Sequence, residues 1–209
     1  MTSLQSPIVI PQSRRPPATA RRTVLRGEAA IETGQRAGLW RMERGVCLIE
    51  RPTRDGRDVV ALALPGDLIG VESLLGEAAA FGATALLDAT LCGCDLAGES
   101  DLAGVLGHAV RQQQRQSLEM AELRSGPVVE RLQHLLRLLS RPHVRRETLL
   151  DRKELPTLRD IAQIVNSAPE TVCRELNRLV PARPRAPRIA SPAPWMTAPA
   201  GFGGALVAA

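Results

Sequence analysis

Apolar positions along this 209-residue chain follow two different periods. Residues 59–64, Val59-Val60-Ala61-Leu62-Ala63-Leu64, read as a buried strand, and Asp55-Gly56 just before them is a hairpin signal joining that strand to Val46-Cys47-Leu48-Ile49. Short strands punctuated by glycine predict a small antiparallel β-roll. From Leu102 the period becomes helical. Leu102, Leu106, Val110, Ser117, Leu118 and the Met120 to Leu123 stretch give a broken heptad, interrupted by Gln112, Gln113, Gln114 and Gln116. These glutamines either fix the register of a helix seam or lie on its solvent face. Gly126-Pro127 ends this helix and starts another, on which Leu132, Leu135, Leu136 and Leu139 share a face.

Residues 157–179, TLRDIAQIVNSAPETVCRELNRL, carry a more specific pattern: two short helices joined by a tight turn. Thr157 with Asp160 is a helix start, a hydroxyl to accept from an orphan amide and an acid to suit the dipole. Ile161, Ala162 and Val165 form one apolar face. Asn166 tolerates the left-handed conformation that ends a helix. Ser167 and Glu170 form a capping box, with Pro169 in the first turn where a missing amide costs little. Val172, Leu176 and Leu179 turn inward, leaving Glu170, Cys173, Arg174, Asn177 and Arg178 outward. Glu170 and Arg174, four apart, are either a surface ion pair worth ~0.3–0.5 kcal/mol or a base-reading pair. In the second case arginine takes guanine O6 and N7 and glutamate accepts from cytosine N4. Two capped helices at this spacing favour the second.

The run DIAQIVNSAPETVCREL resembles the DNA-reading motif of the Crp/Fnr transcription regulators, matching at Ser167, Glu170, Thr171, Val172 and Arg174. The resemblance implies that Glu170 and Arg174 contact bases and that Thr171 and Ser167 contact phosphate. Pro169 and Cys173 then occupy positions that vary with the operator. Pro169 departs from members that carry a second base-reading arginine there. The stretch DVVALALPGDLIGVESLLG is similar to the family's sensor segment, and SGPVVERLQHLLRLLS to the helix after its dimer helix, so that the likeness covers roughly residues 22–180.

The fold this implies is α+β: a disordered N-terminus (1–21), a cupin-like antiparallel β-roll sensor (22–100), a dimerisation helix (101–125), a winged-helix-like helix-turn-helix domain (126–190) and a low-complexity tail (191–209). Prolines 181, 184, 187, 192 and 194 predict a reduced wing, with Arg183, Arg185 and Arg188 touching phosphate instead. The residues expected to face DNA are Thr157, Ser167, Pro169, Glu170, Thr171, Cys173, Arg174, Arg178, Arg183 and Arg185. The expected partners are double-stranded DNA at a palindrome with TGA-like half-sites, a second copy of the chain and RNA polymerase. The alternatives are a protein-interaction module with a vestigial reader, or a thiol- or metal-responsive regulator.

Charge refines the picture. Residues 58–110 hold eight acids and no Lys or Arg, whereas residues 111–188 hold sixteen cations against nine acids. Attraction to DNA belongs to the second half. A cyclic nucleotide's phosphate needs a buried cation, and the acidic segment offers the Thr84 hydroxyl alone, so cyclic-nucleotide control is not expected. Aromatic content of 2% excludes the stacking platforms of single-strand binders.

Four cysteines, Cys47, Cys92, Cys94 and Cys173, fall short of a disulfide scaffold, and the three outside the reader fall short of an iron–sulfur ligand set. Cys92 and Cys94, two apart in a strand-like stretch, read as small hydrophobes rather than a thiol switch or soft-metal site. His108, His134 and His143 lack ligand spacing. No cofactor and no metal are expected. No Ser/His/Asp set or Walker loop marks an enzyme. The lack of a signal peptide or long apolar run predicts a cytoplasmic protein away from membranes.

Overall fold

The computed structural model describes residues 20–54, 56–94, 99–141 and 155–180. Strand β3 (Trp40–Thr53) turns back on β4 (Gly56–Ala63), paired antiparallel from Cys47 opposite Ala63 to Thr53 opposite Gly56. This is the hairpin that the Asp-Gly signal predicts; Asp55 itself lies outside the described residues. β6 (Gly82–Gly93) pairs along the other side of β3. β1 (Arg21–Val24) and β2 (Ala29–Ile31) pair with β6, and β5 (Leu68–Ile69) pairs with β3. Every pairing is antiparallel. The register shifts where Gly45 passes β6, because a Cβ there would overlap the Asp88 carbonyl.

Period-two alternation then sorts side chains into two cores. Val46, Leu48, Leu62 and Leu64 join one apolar cluster, while Cys47 and Ala63 between them join another, rich in alanine. The expected buried strand at residues 59–64 is buried except at Val60. There Ile49 faces Ala61 and Glu50 faces Val59, so Val60 is the extra residue of a bulge and turns out to solvent.

Helix α1 (Glu99–Arg124) crosses the sheet; Gln113 and Gln114 lie on its solvent face, one of the two positions foreseen, whereas Gln112 and Gln116 turn to the sheet. The Gln112 amide forms a two-way bridge to the Leu68 backbone, accepting from its N–H at 2.7 Å and donating to its carbonyl at 2.9 Å. Gln116 donates to the Leu62 carbonyl. Arg115 donates to both oxygens of Asp67, a buried carboxylate that also accepts from the Leu64 amide at 2.7 Å. Gln112 thus satisfies backbone groups of the short strand β5, and Gln116 a carbonyl of β4. The opposite side of α1 exposes Leu106, Val110 and Leu118.

Gly126, at φ 79°, breaks the chain before α2 (Val128–Leu139). α2 buries Leu132, Leu135, Leu138 and Leu139, with Leu136 only partly covered. The buried stripe is wider than one face because α2 packs against both α1 and α4. Helices α3 (Leu158–Ile164) and α4 (Pro169–Leu179) complete the described chain. One apolar cluster runs without interruption from Val46 and Leu62 in the sheet through Leu123 and Leu135 to Ile161, Val172 and Leu176. The expected wing, the N-terminal segment before residue 20 and the tail lie outside the described residues. Among the described residues no helix is long and apolar enough to cross a membrane.

Candidate nucleic-acid interface

The helix pair is built from local signals. Thr157 caps α3, its side chain accepting from the Asp160 amide at 3.1 Å while its hydroxyl donates to the Asp160 carboxylate at 2.6 Å. α3 closes at Ile164, and Asn166 takes a left-handed φ of 46°, so that the Ser167 amide returns to the Ala162 carbonyl. A long-range contact supports this turn: Arg131 of α2 donates through Nη1 to the carbonyls of Val165 at 2.5 Å and Asn166 at 3.1 Å. Those carbonyls are orphans of the helix end. The sequence offered no signal for Arg131, because the acceptors lie more than thirty residues away.

The capping box at Ser167 and Glu170 does not form. α4 begins at Pro169 with Ala168 as its N-cap, and no side chain caps it. Proline restricts the residue before it to extended backbone, which makes Ala168 the boundary and moves Ser167 one position too far out. Pro169 takes the first helical position, where its ring is tolerated.

α4 is anchored by Val172 and Leu176, both buried, with Leu179 partly covered. Its outer side exposes Pro169, Glu170, Arg174, Asn177 and Arg178, with Thr171 and Cys173 half-buried; Thr157 is exposed and Ser167 half-buried at the approach. Arg174 does not pair with Glu170. It donates through Nε to Glu175 at 3.2 Å, and Arg178 donates through Nη1 to both oxygens of Glu175 at 3.1 Å.

Glu175 is therefore a functional candidate that the pattern concealed: an acid at a core-flanking position, its side chain 11% exposed, holding two arginines that are 64% and 69% exposed. Arg174 spends only its Nε there, leaving both terminal amino groups outward. Beside α4 a cleft of about 440 Å³ is lined by Arg159, Gln163, Asn166, Ser167 and Pro169 among others. Arg159 was not among the residues singled out from the sequence. Arg183, Arg185 and Arg188 lie outside the described residues.

A second cavity, of about 210 Å³, opens at the hairpin end of the sheet between Ile31, Glu50, Arg57, Gly82 and Thr84. Thr84 donates its hydroxyl to Glu50 Oε1 at 2.6 Å, and Arg57 donates to Glu50 Oε2 at 2.8 Å. Among the described residues the cavity thus has one cation, one residue before the acidic stretch begins, and that cation is already paired. Cys47 is buried between strands, and desolvation pushes its thiol up to about 12. Burial raises the Cys94 thiol as well, although Arg41 opposes it. No group of three His, Cys, Asp or Glu among the described residues is placed to hold a metal ion. His108 contacts the Gly66 carbonyl and His134 contacts Glu122, while His143 lies outside the described residues.

No protein-family model matches the sequence, and comparison with curated proteins finds no match. Solved structures do match. A CRP-family transcriptional regulator from Thermus thermophilus is 25% identical, with a TM-score of 0.60 over 76% of this chain and 83% of that one. A CRP/FNR-family regulator from the same organism is 22% identical, with a TM-score of 0.55 over 77% and 85%. FixK2 from Bradyrhizobium japonicum is 21% identical, with a TM-score of 0.51 over 77% and 83%. With its antiparallel sheet, crossing helix and helix-turn-helix, the chain has a Crp/Fnr-like fold, the likeness that its reader motif implies.

Proposed function

We propose that the protein is a homodimeric, sequence-specific DNA-binding transcription regulator whose sensor does not respond to cyclic nucleotide. The observation that carries the proposal is α4: one side anchored by Val172 and Leu176, the other presenting Glu170, Arg174 and Arg178, with the two arginines braced on Glu175. A pre-ordered arginine with free terminal amino groups suits guanine, and an adjacent exposed carboxylate suits cytosine N4. Ser167, Thr171 and Thr157 flank the reading side and serve phosphate. Pro169 and Cys173 sit where operator preference is set. Arg159 joins them, and Arg183 and Arg185, which follow α4 in the sequence, are further phosphate contacts.

Reading a palindrome with a helix-turn-helix calls for two copies related by a two-fold axis. The outer stripe of α1, with Leu106, Val110 and Leu118 exposed while the polar stitching faces the sheet, supplies the seam. RNA polymerase is the protein partner of such a regulator, and the cytoplasm its compartment. At the sensor, an entering phosphate would meet the Glu50 carboxylate, and the Arg57 beside it is already held by two acids. That is unfavourable for a nucleotide monoanion. Selection from a random duplex library is the test. Enrichment of a palindrome with TGA-like half-sites is expected, and the absence of any enriched palindrome refutes the assignment.

A further inference from the structure

Arg57 joins two parts of the chain 103 residues apart. Its Nη1 donates to Glu50 on β3 at 2.8 Å, and its Nη2 donates to Asp160 on α3 at 2.5 Å. Each carboxylate is held in turn by a threonine. Glu50 accepts from Thr84 on β6, and Asp160 accepts from Thr157, the cap of α3. The chain of contacts therefore runs from the cavity wall to the first turn of the helix-turn-helix. Both carboxylates are well covered, each 16% exposed, and Arg57 is 32% exposed. A neighbouring pair on the same hairpin, Arg51 with Asp58, is exposed on both sides at 61% and 55%.

We infer that Arg57 is a positioning residue for the reader, its guanidinium forked between Glu50 of the sheet and Asp160 of α3 so as to set how the helix-turn-helix is held against the sheet. Sheet and reader also share an apolar cluster, and apolar contact is not directional. It holds the two parts together while permitting them to slide. A planar fork that satisfies two separate carboxylates has one geometry. Loss of the fork leaves the reader attached but free to rock. Two readers in a dimer must meet half-sites at a fixed spacing, so rocking lowers operator affinity.

The test uses the full chain with Arg57→Met, Asp160→Asn, the double variant, Arg57→Lys and, as a control, Arg51→Met. Two readouts are followed: affinity for the palindromic duplex returned by selection, and amide exchange of peptides covering residues 158–179. Arg57→Met and Asp160→Asn are each expected to weaken duplex binding about fivefold to twentyfold and to speed exchange in those peptides. The double variant is expected to be no worse than the weaker single, because both remove one linkage. Arg51→Met is expected to stay within about twofold of the parent.

Arg57→Lys keeps the charge without the fork and is expected to behave like Arg57→Met in exchange while remaining folded. Additive losses, an equal effect from Arg51→Met, unchanged exchange, or a gain in affinity on breaking the pair would each overturn the inference. The duplex readout rests on the proposed DNA-reading function. If the parent binds no duplex, that function fails, and the exchange readout alone decides the role of Arg57.

Discussion

Replacing Glu175 by Gln separates bracing of the reading arginines from simple charge. The side chain keeps its shape but loses its charge: one oxygen still accepts, the other becomes an NH2 that cannot, and the contacts at 3.1–3.2 Å to Arg174 and Arg178 lose their charge assistance. Both arginines are more than 60% exposed, so each ion pair is worth only ~0.2–1 kcal/mol of stability. Relief of the buried carboxylate's desolvation offsets part of that. The stability loss should therefore be about 0.5–1.5 kcal/mol, read as a lowered urea midpoint at unchanged slope. The effect on DNA is larger and has two opposed parts. Freed arginines must be ordered on binding, at ~0.5–1.5 kcal/mol per side chain, which predicts a loss of about 1–3 kcal/mol, from roughly fivefold to over a hundredfold, at the operator. Removing a negative charge beside the duplex strengthens binding to any sequence. Fluorescence-anisotropy titrations on the operator and on a scrambled duplex, at one salt concentration, resolve the two. The ratio of the two affinities should fall while the scrambled-duplex affinity holds or rises. A ratio that stays constant or increases refutes bracing and leaves Glu175 as an ordinary surface-pair acid.

Three further expectations follow from other parts of the molecule. Arg174→Ala should cost ~1–3 kcal/mol at the operator and relax selection at the guanine, whereas Arg185→Ala should weaken all duplexes alike, with competition against base-substituted operators as the measurement. Leu106→Asp with Val110→Asp should convert the proposed dimer to a folded monomer by native mass spectrometry, since both side chains sit on the outer stripe of α1 and away from the sheet; a persistent dimer would place the seam elsewhere. Cys47 should resist alkylation at neutral pH. Its thiol is raised from 9.0 to about 12 in the folded state, so between those values the folded form retains a proton that the unfolded form has lost. Stability should then fall as pH rises through that window, at up to roughly 1.4 kcal/mol per pH unit. Cys47→Ala should flatten the slope, and an unchanged slope would show that other groups cause it.

What the sequence determined by itself is local. Thr157 with Asp160, Asn166 in its left-handed turn, Pro169 at a helix start and the Asp-Gly hairpin each act within a few residues, where the covalent chain already holds the partners close. The apolar periodicities identified helices and strands for the same reason, and the motif at residues 157–179 was enough to imply the fold. The failures arose one step beyond that range. Ser167 was displaced as a cap by the restriction that Pro169 imposes on Ala168, two local rules in competition. The glutamines of α1 were ambiguous because a polar residue on a helix does not state whether water, a partner helix or a strand edge will satisfy it. The choice fell to the Leu68 backbone, 44 residues from Gln112. The same holds for Arg131 at the end of α3 and for Arg57 between Glu50 and Asp160. Glu175 sits next to anchoring positions, and its depth depends on how α4 lies against α2. Ion pairs and capping bonds between distant residues carry no periodicity, so only the packed cluster that brings sheet, α2 and reader together decides which of the chain's many charged side chains meet.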